Sequence, residues 1–118
     1  MVTRYHGRVV SAKRLRGNPP PELDLAAVMR VLGDPVRLEI VRLLSDGRLR
    51  TSGQIAEHVN LPASTCSYHL KQLLMAGITE CWSEGTARYP VLRRKAIDER
   101  FPGLITAVLA DYQPTAHP

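Results

Sequence analysis

Cysteine is scarce: the 118 residues hold only Cys66 and Cys81. Two thiols are too few for a disulfide framework and lack the Cys-x-x-Cys spacing of redox or zinc sites, so reduced thiols are expected. Long apolar runs are missing as well. No stretch approaches the roughly 18 residues of a membrane span, and the Arg- and Lys-rich N-terminal region lacks the apolar segment of a signal peptide. The expectation is a cytoplasmic protein with no membrane partner. Acidic residues are absent from residues 1–21, which carry Arg4, Arg8, Lys13, Arg14 and Arg16 and therefore the whole formal charge of +5, leaving the rest of the chain neutral. A short basic extension of this kind either adds phosphate contacts to a nucleic-acid binder or is a solvated tail. Removal of residues 1–17 separates the two, since only the first reading alters the salt dependence of duplex binding.

What is present is one domain's worth of chain. A hydrophobic content of 44% and a charged content of 23% are those of a globular fold. Asn18-Pro19-Pro20-Pro21 closes an arm (1–21) as an extended spacer, because consecutive prolines fix φ and remove donors. The folded body is expected over 22–113, with a tail at 114–118. Leu25, Val28, Met29 and Leu32 recur at the period of one helix face and stop at Gly33. Asp34 offers a capping oxygen and Pro35 suits the first position of a second helix, whose stripe is Val36, Ile40, Leu43 and Leu44 and whose end is expected near Asp46-Gly47. Thr51 and Gln54 have capping-box spacing before Ile55, Ala56 and Val59. Asn60-Leu61-Pro62 interrupts that third helix, and a fourth helical pattern runs from about Ala63 to Ala76 and ends at Gly77. Two short strands follow around Ser83-Glu84-Gly85-Thr86, and Pro90, which cannot donate to a ladder, assigns the second of them to an edge. Phe101, Leu104, Ile105, Val108, Leu109 and Tyr112 then form the stripe of an amphipathic last helix. The fold class is mainly α with a small β-hairpin.

The fourth helix carries the functional signal. Cys66, Leu70, Leu73 and Leu74 make an apolar stripe, while Ser64, Ser67, Tyr68 and Lys71 make a polar one roughly 125° away. Hydroxyls, a phenol and an ammonium on a helix introduced by a tight turn supply the donors and acceptors that reach base edges in a major groove. The bland reading is a solvated face. Scarcity of charge favours recognition, because solvated faces usually pair Glu with Lys, whereas this one has a single Lys71 and no acid to repel phosphate.

Leu32-Gly33-Asp34-Pro35-Val36-Arg37-Leu38, then Ser64-Thr65-Cys66-Ser67-Tyr68-His69-Leu70 with Leu73 and Ala76-Gly77-Ile78, then Glu84-Gly85 before Arg88-Tyr89, together resemble the ArsR/SmtB-type winged helix-turn-helix transcription regulators, over about residues 25–92. The resemblance implies a homodimer on a double-stranded DNA operator of two half-sites, usually a repressor released by an effector. It also implies that the helix after the turn enters the major groove, that the hairpin is the wing, and that the first and last helices form the dimer interface. Carried onto this sequence, Ser64, Thr65, Ser67, Tyr68 and His69 occupy the Ser-x-x-Ser-x-His-Leu type recognition segment, flanked by Thr51, Ser52, Ala63, Lys71 and Gln72, and Arg88 takes a basic wing position. Tyr68 departs from the frequent Arg, which favours hydrogen-bonding or stacking over a charged pair. Dimer contacts fall on Leu25, Val28, Met29, Phe101, Leu104, Ile105, Val108, Leu109 and Tyr112; a glutamate at Ile105 or Val108 is then expected to yield monomers or unfolded chain.

No metal or other cofactor is expected. The family's metal sensors carry paired Cys in or beside the helix spanning Thr51–Val59, or paired His and acids on the last helix. Here the first region has no Cys, and the last helix offers only Asp111, with His117 in a proline-bounded tail. Cys66 and His69 alone do not close a four-coordinate zinc site, so Cys66 reads as a small core residue and His69 as a hydrogen-bonding one. A disulfide from Cys66 to Cys81 is not expected, and Trp82 reads as packing. An enzyme is not expected either, because Ser67 and His69, two apart on a helix, face different ways, and no phosphate-cradling glycine loop is present. The reading is a sequence-specific DNA-binding regulator; the alternative is a winged-helix protein-interaction module without DNA binding, which salt-insensitive binding to another protein would favour.

Overall fold

The computed structural model describes residues 3–5, 8–10, 12–14 and 19–111, the first six of these by backbone alone; Tyr112 and His117 lie outside the described residues. In chain order the elements are β1 (Thr3–Tyr5), β2 (Arg8–Val10), β3 (Lys13–Arg14), α1 (Leu25–Leu32), α2 (Pro35–Leu44), α3 (Ser52–Val59), α4 (Ala63–Met75), β4 (Thr79–Glu84), β5 (Ala87–Leu92), α5 (Arg94–Arg100) and α6 (Leu104–Ala110). It is a mainly helical winged helix-turn-helix with two small antiparallel sheets, β1-β2 and β3-β4-β5.

Local chemistry accounts for most helix ends. Asp24 accepts the Ala27 N–H at 3.0 Å and opens α1. Asp34 Oδ1 accepts from the amides of Val36 and Arg37 at 2.8 and 3.2 Å, with Pro35 at the first position, where no donor is needed. Thr51 and Gln54 close a full capping box on α3. The tight turn to α4 is made by Asn60 in the left-handed region (φ 55°), after which the Leu61 N–H reaches the Ala56 carbonyl at 3.0 Å. At the other end of α4, Gly77 has φ +76°, and a Cβ there would stand 2.9 Å from the Pro21 carbonyl oxygen. The proline segment therefore crosses the end of α4 where only glycine leaves room. α2 ends at Leu44, just before the Asp46-Gly47 stop expected from the sequence, and Asp46 is engaged by Arg50.

The wing has three strands. β4 pairs antiparallel with β5, from Thr79 opposite Leu92 to Glu84 opposite Ala87, with Cys81 opposite Pro90. β5 is an edge, as Pro90 requires. The other edge, β4, has free ladder groups, and β3 fills it with Lys13 opposite Ser83 and Arg14 opposite Trp82. Ahead of the proline spacer, part of the arm is therefore a sheet strand, and β1 and β2 form a second hairpin before it.

The main core joins Val28, Ile40, Val41, Ile55, Cys66, Leu73, Ile78, Ile97 and Ile105, all fully buried. Cys66 is the core residue anticipated, its thiol pushed above the usual range by burial, and both cysteines are free. Three residues assigned to the dimer interface, Val28, Phe101 and Ile105, are inside this chain's own core. The α5–Phe101–Gly103 turn brings α6 back onto α2, where Arg42 Nε donates to the Val108 carbonyl at 3.3 Å, so the stripe packs within its own chain. Leu104, Val108 and Leu109 are half-buried against the same core, whereas Leu25 and Met29 stand 48% and 56% exposed. Leu74, placed on the packed stripe of α4, is exposed at 42%.

Arg50 is 5% exposed, and its guanidinium grips both carboxylate oxygens of Asp46, at 3.0 and 2.6 Å, and the Leu43 carbonyl at 3.1 Å. This clamp shapes the loop that delivers Thr51 and Ser52. The Arg50 hydrogen bonds hold the Asp46 carboxyl below its ordinary range, against an opposing push from partial burial. A depressed folded-state value means that its contribution is complete above the unfolded value near about 3.9 and is lost as pH falls through the folded value. Acid unfolding monitored by circular dichroism should show this loss below about pH 4 in the natural chain, and Asp46→Asn should flatten that part of the profile. The core placement of Ile105 carries its own expectation: Ile105→Ala should cost about 2–5 kcal/mol in denaturant unfolding. Met29→Ala, on the open face of α1, should leave the stability of the monomeric chain within about 0.5 kcal/mol, read at a concentration low enough to separate protomers.

Candidate nucleic-acid interface

α4 is held by Cys66, Leu70 and Leu73 on its inner side, so its outer side is presented as a fixed surface. Ala63, Ser64, Thr65, Ser67, Tyr68 and Lys71 are all exposed on it, and Gln72 is half-buried. No side chain caps the helix start, and the first backbone bond is Cys66 N–H to the Pro62 carbonyl. The amides of the first turn therefore face outward, where they suit an anion such as a backbone phosphate.

Tyr68 and His69 are organised by Arg37, a residue to which the sequence reading assigned no role. Its Nε donates to His69 Nδ1 at 3.1 Å, its Nη1 donates to the Val31 carbonyl at 3.3 Å, and its Cζ lies 5.8 Å from the centre of the Tyr68 ring. The two rings meet edge to face at 5.4 Å. With Nδ1 accepting, the imidazole is the neutral tautomer protonated on Nε2. His69 is thus half-buried and turned toward α2, a clip between helices rather than part of the outer face. Arg37 sits in the Gly33-Asp34-Pro35-Val36-Arg37 motif, so its presence was legible, but its partner 32 residues away was not.

A shallow groove of about 190 Å³ separates α4 from the wing and brings together four predicted residues, Ser52, Ser67, Lys71 and Arg88. Ser64, Thr65 and Tyr68 lie on the exposed side of α4 outside that groove, and Thr51 is occupied by the α3 capping box. Arg88 is exposed, and its Nη1 bonds back to the carbonyls of Gly85 and Ala87 at 2.9 and 3.0 Å, which stiffens the tip of the wing. The acid in this groove is Glu80, and its charge is answered locally: Trp82 Nε1 donates to it at 2.7 Å, with Arg93 at 3.5 Å and Arg14 at 3.7 Å. The outer surface consequently combines hydroxyls, a phenol, Lys71 and Arg88 with little uncompensated negative charge. Among the described residues no cluster of three His, Cys, Asp or Glu side chains could hold a metal ion, and no helix is long and apolar enough to cross a membrane.

A family model for a helix-turn-helix domain matches residues 32–81. A Bacillus subtilis protein described as the uncharacterized HTH-type transcriptional regulator YceK is 32% identical over 81 residues, 68% of this chain and 81% of that one. The chain belongs to the HTH-type transcriptional regulators. Its winged helix-turn-helix domain is related to those of ArsR/SmtB-like regulators. The transcriptional repressor SdpR of Bacillus subtilis is 32% identical over 72 residues, 61% of this chain and 79% of the relative. A Mycobacterium bovis solution structure, described as the homodimeric winged helix-turn-helix DNA-binding domain of a possible ArsR-family regulator, shares 28% identity. It superposes with a TM-score of 0.62, covering 80% of this chain and 85% of that one.

In this regulator Arg37 makes hydrogen bonds from one guanidinium to two helices. Arg37→Ala should lower stability by roughly 1.5–3 kcal/mol, the range for hydrogen bonds to a charged group, as read by denaturant unfolding. Arg37→Lys, which cannot reproduce the planar fork, should recover less than half of that loss.

Proposed function

We propose that the regulator is a homodimeric ArsR/SmtB-type repressor that binds a double-stranded DNA operator of two half-sites in the cytoplasm and is released by an effector, acting by binding rather than as an enzyme. The observation that carries this reading is the outer face of α4. Ser64, Thr65, Ser67, Tyr68 and Lys71 stand exposed on a helix whose opposite side is locked in the core, next to an exposed Arg88 on a stiffened wing. A rigid helix with that surface is what major-groove readout needs, because base contacts demand fixed geometry while phosphate contacts tolerate more. Dimerisation is supported by the open apolar pair Leu25 and Met29 on α1 and by the homodimeric Mycobacterium bovis relative; repression is supported by the likeness to SdpR.

In this reading Tyr68 and Ser67 face base edges and Arg88 holds a phosphate, so their substitutions fail differently. Tyr68→Ala should lose roughly 1–3 kcal/mol on the operator and little on random duplex, lowering the specificity ratio. Arg88→Ala should weaken both together. Leu70, 7% exposed, is the control for folding, since Leu70→Ala should cost roughly 2–5 kcal/mol of stability and damage every activity at once. The check is titration of each folded variant against a duplex selected from genomic fragments and against its scrambled counterpart, at one stated salt concentration. Operator preference that survives Tyr68→Ala would remove α4 from the groove and favour the protein-interaction module.

A further inference from the structure

The basic arm is built into the wing. Ala12 has no exposed surface and packs with Leu49 and Tyr89, against Trp82, Ala87 and Val91, in a small core separate from the main one. The next two residues form β3: Lys13 pairs with Ser83 and Arg14 with Trp82. β4 runs from Thr79 toward the turn at Gly85, and β3 runs antiparallel to it. Followed toward the N-terminus, the chain therefore heads for the Gly85 end of the wing, and from there it continues into the β1–β2 hairpin, where Arg4 is opposite Val9 and Tyr5 opposite Arg8.

This topology gives two of the arm's cations, Lys13 and Arg14, a defined place on the wing. The +5 excess belongs entirely to residues 1–21, which include no acid. Lys13 is exposed and the Arg14 side chain is 62% exposed, its 3.7 Å approach to Glu80 being a loose surface pair. A cation held on a sheet loses less conformational entropy on meeting a phosphate than one on a free tail, and it meets that phosphate at a defined position. We infer that the arm is a second, basic wing hairpin, anchored by Ala12, that grips phosphates of double-stranded DNA beyond those reached by α4 and the Gly85 turn. The inference rests on the DNA-binding reading and adds to it a separate contact, with a register set by the sheet.

The test uses the full chain, the Arg4→Ser/Arg8→Ser/Lys13→Ser triple variant, Ala12→Lys and Tyr68→Ala, with hydroxyl-radical footprinting and salt titration on a selected duplex. Trp82, the single tryptophan of the chain and the cross-strand neighbour of Arg14, reports arm docking by its emission without DNA. The triple variant should keep the Trp82 emission, lose protection at the outer edges of the footprint, and flatten the plot of log K against log salt by about 0.9 for each phosphate that the arm no longer neutralises. Ala12→Lys adds a positive charge, so a free cationic tail would bind equally well or better. An arm that needs its anchor should instead show red-shifted Trp82 emission and loss of the same outer protections. A full footprint in the triple variant overturns the inference, and leaves the docked arm as a structural strand or a surface for an acidic protein. Unchanged outer protection in Ala12→Lys with shifted emission overturns the anchoring. Should Ala12→Lys not fold, the triple variant, which leaves Ala12 and the β3 backbone in place, decides the matter alone. If the outer edges are unaffected while Tyr68→Ala still abolishes sequence preference, only the arm inference fails; if the full chain binds no duplex, both readings fail.

Discussion

The inner stripe of α4 is the constraint on which the remaining structure depends. Cys66, Leu70 and Leu73 are buried in the main core, where α4 packs chiefly against α2, α3 and β4, so rotation of α4 about its axis would expose this stripe and bury hydroxyls and a lysine in its place. Both changes are costly, one through lost apolar burial and the other through unpaired polar groups. The exposed face is therefore fixed by what the opposite face must hide. Asn60 and Gly77, both with positive φ, set the two ends of the helix, and the Pro21 carbonyl closes over the second.

Around that axis, three polar clusters hold the parts that packing alone would leave loose. Arg37 ties α4 to the end of α1 through His69 and the Val31 carbonyl. Arg50 and Asp46 shape the loop entering α3. Glu80 gathers Trp82, Arg14 and Arg93, and Arg93 in turn donates to the Gly77 carbonyl at 2.7 Å, so the wing, the arm and the end of α4 share one network. Each cluster is at the base of a segment that reaches outward, and none occupies the exposed face of α4. In this arrangement charge orders the scaffold, while mainly neutral donors and acceptors stand exposed on α4.

Much of the fold was legible because its signals are local. Asp34-Pro35, the Thr51/Gln54 capping box, the Asn60-Leu61-Pro62 break and Gly77 each act within a few residues, and each marks a helix boundary in the structure. The polar stripe of α4 was legible for the same reason: helix periodicity alone separates Ser67, Tyr68 and Lys71 from Cys66, Leu70 and Leu73. His69 was the exception within that segment, because whether a histidine faces outward or clips a neighbouring helix depends on a guanidinium brought from α2.

The sequence by itself determined most helix ends, the Pro90 edge, the buried thiol of Cys66 and the concentration of charge in the arm, since these follow from backbone chemistry, apolar periodicity and composition. Tertiary structure alone decided whether an apolar stripe meets its own core or another chain, as with Val28, Phe101 and Ile105, and where a basic segment goes. The arm's pairing with β4 depends on an open sheet edge roughly seventy residues away and on space for Ala12 beside Leu49 and Tyr89. Such choices depend on which surfaces remain unpaired once the helices have packed, and linear spacing carries no record of that.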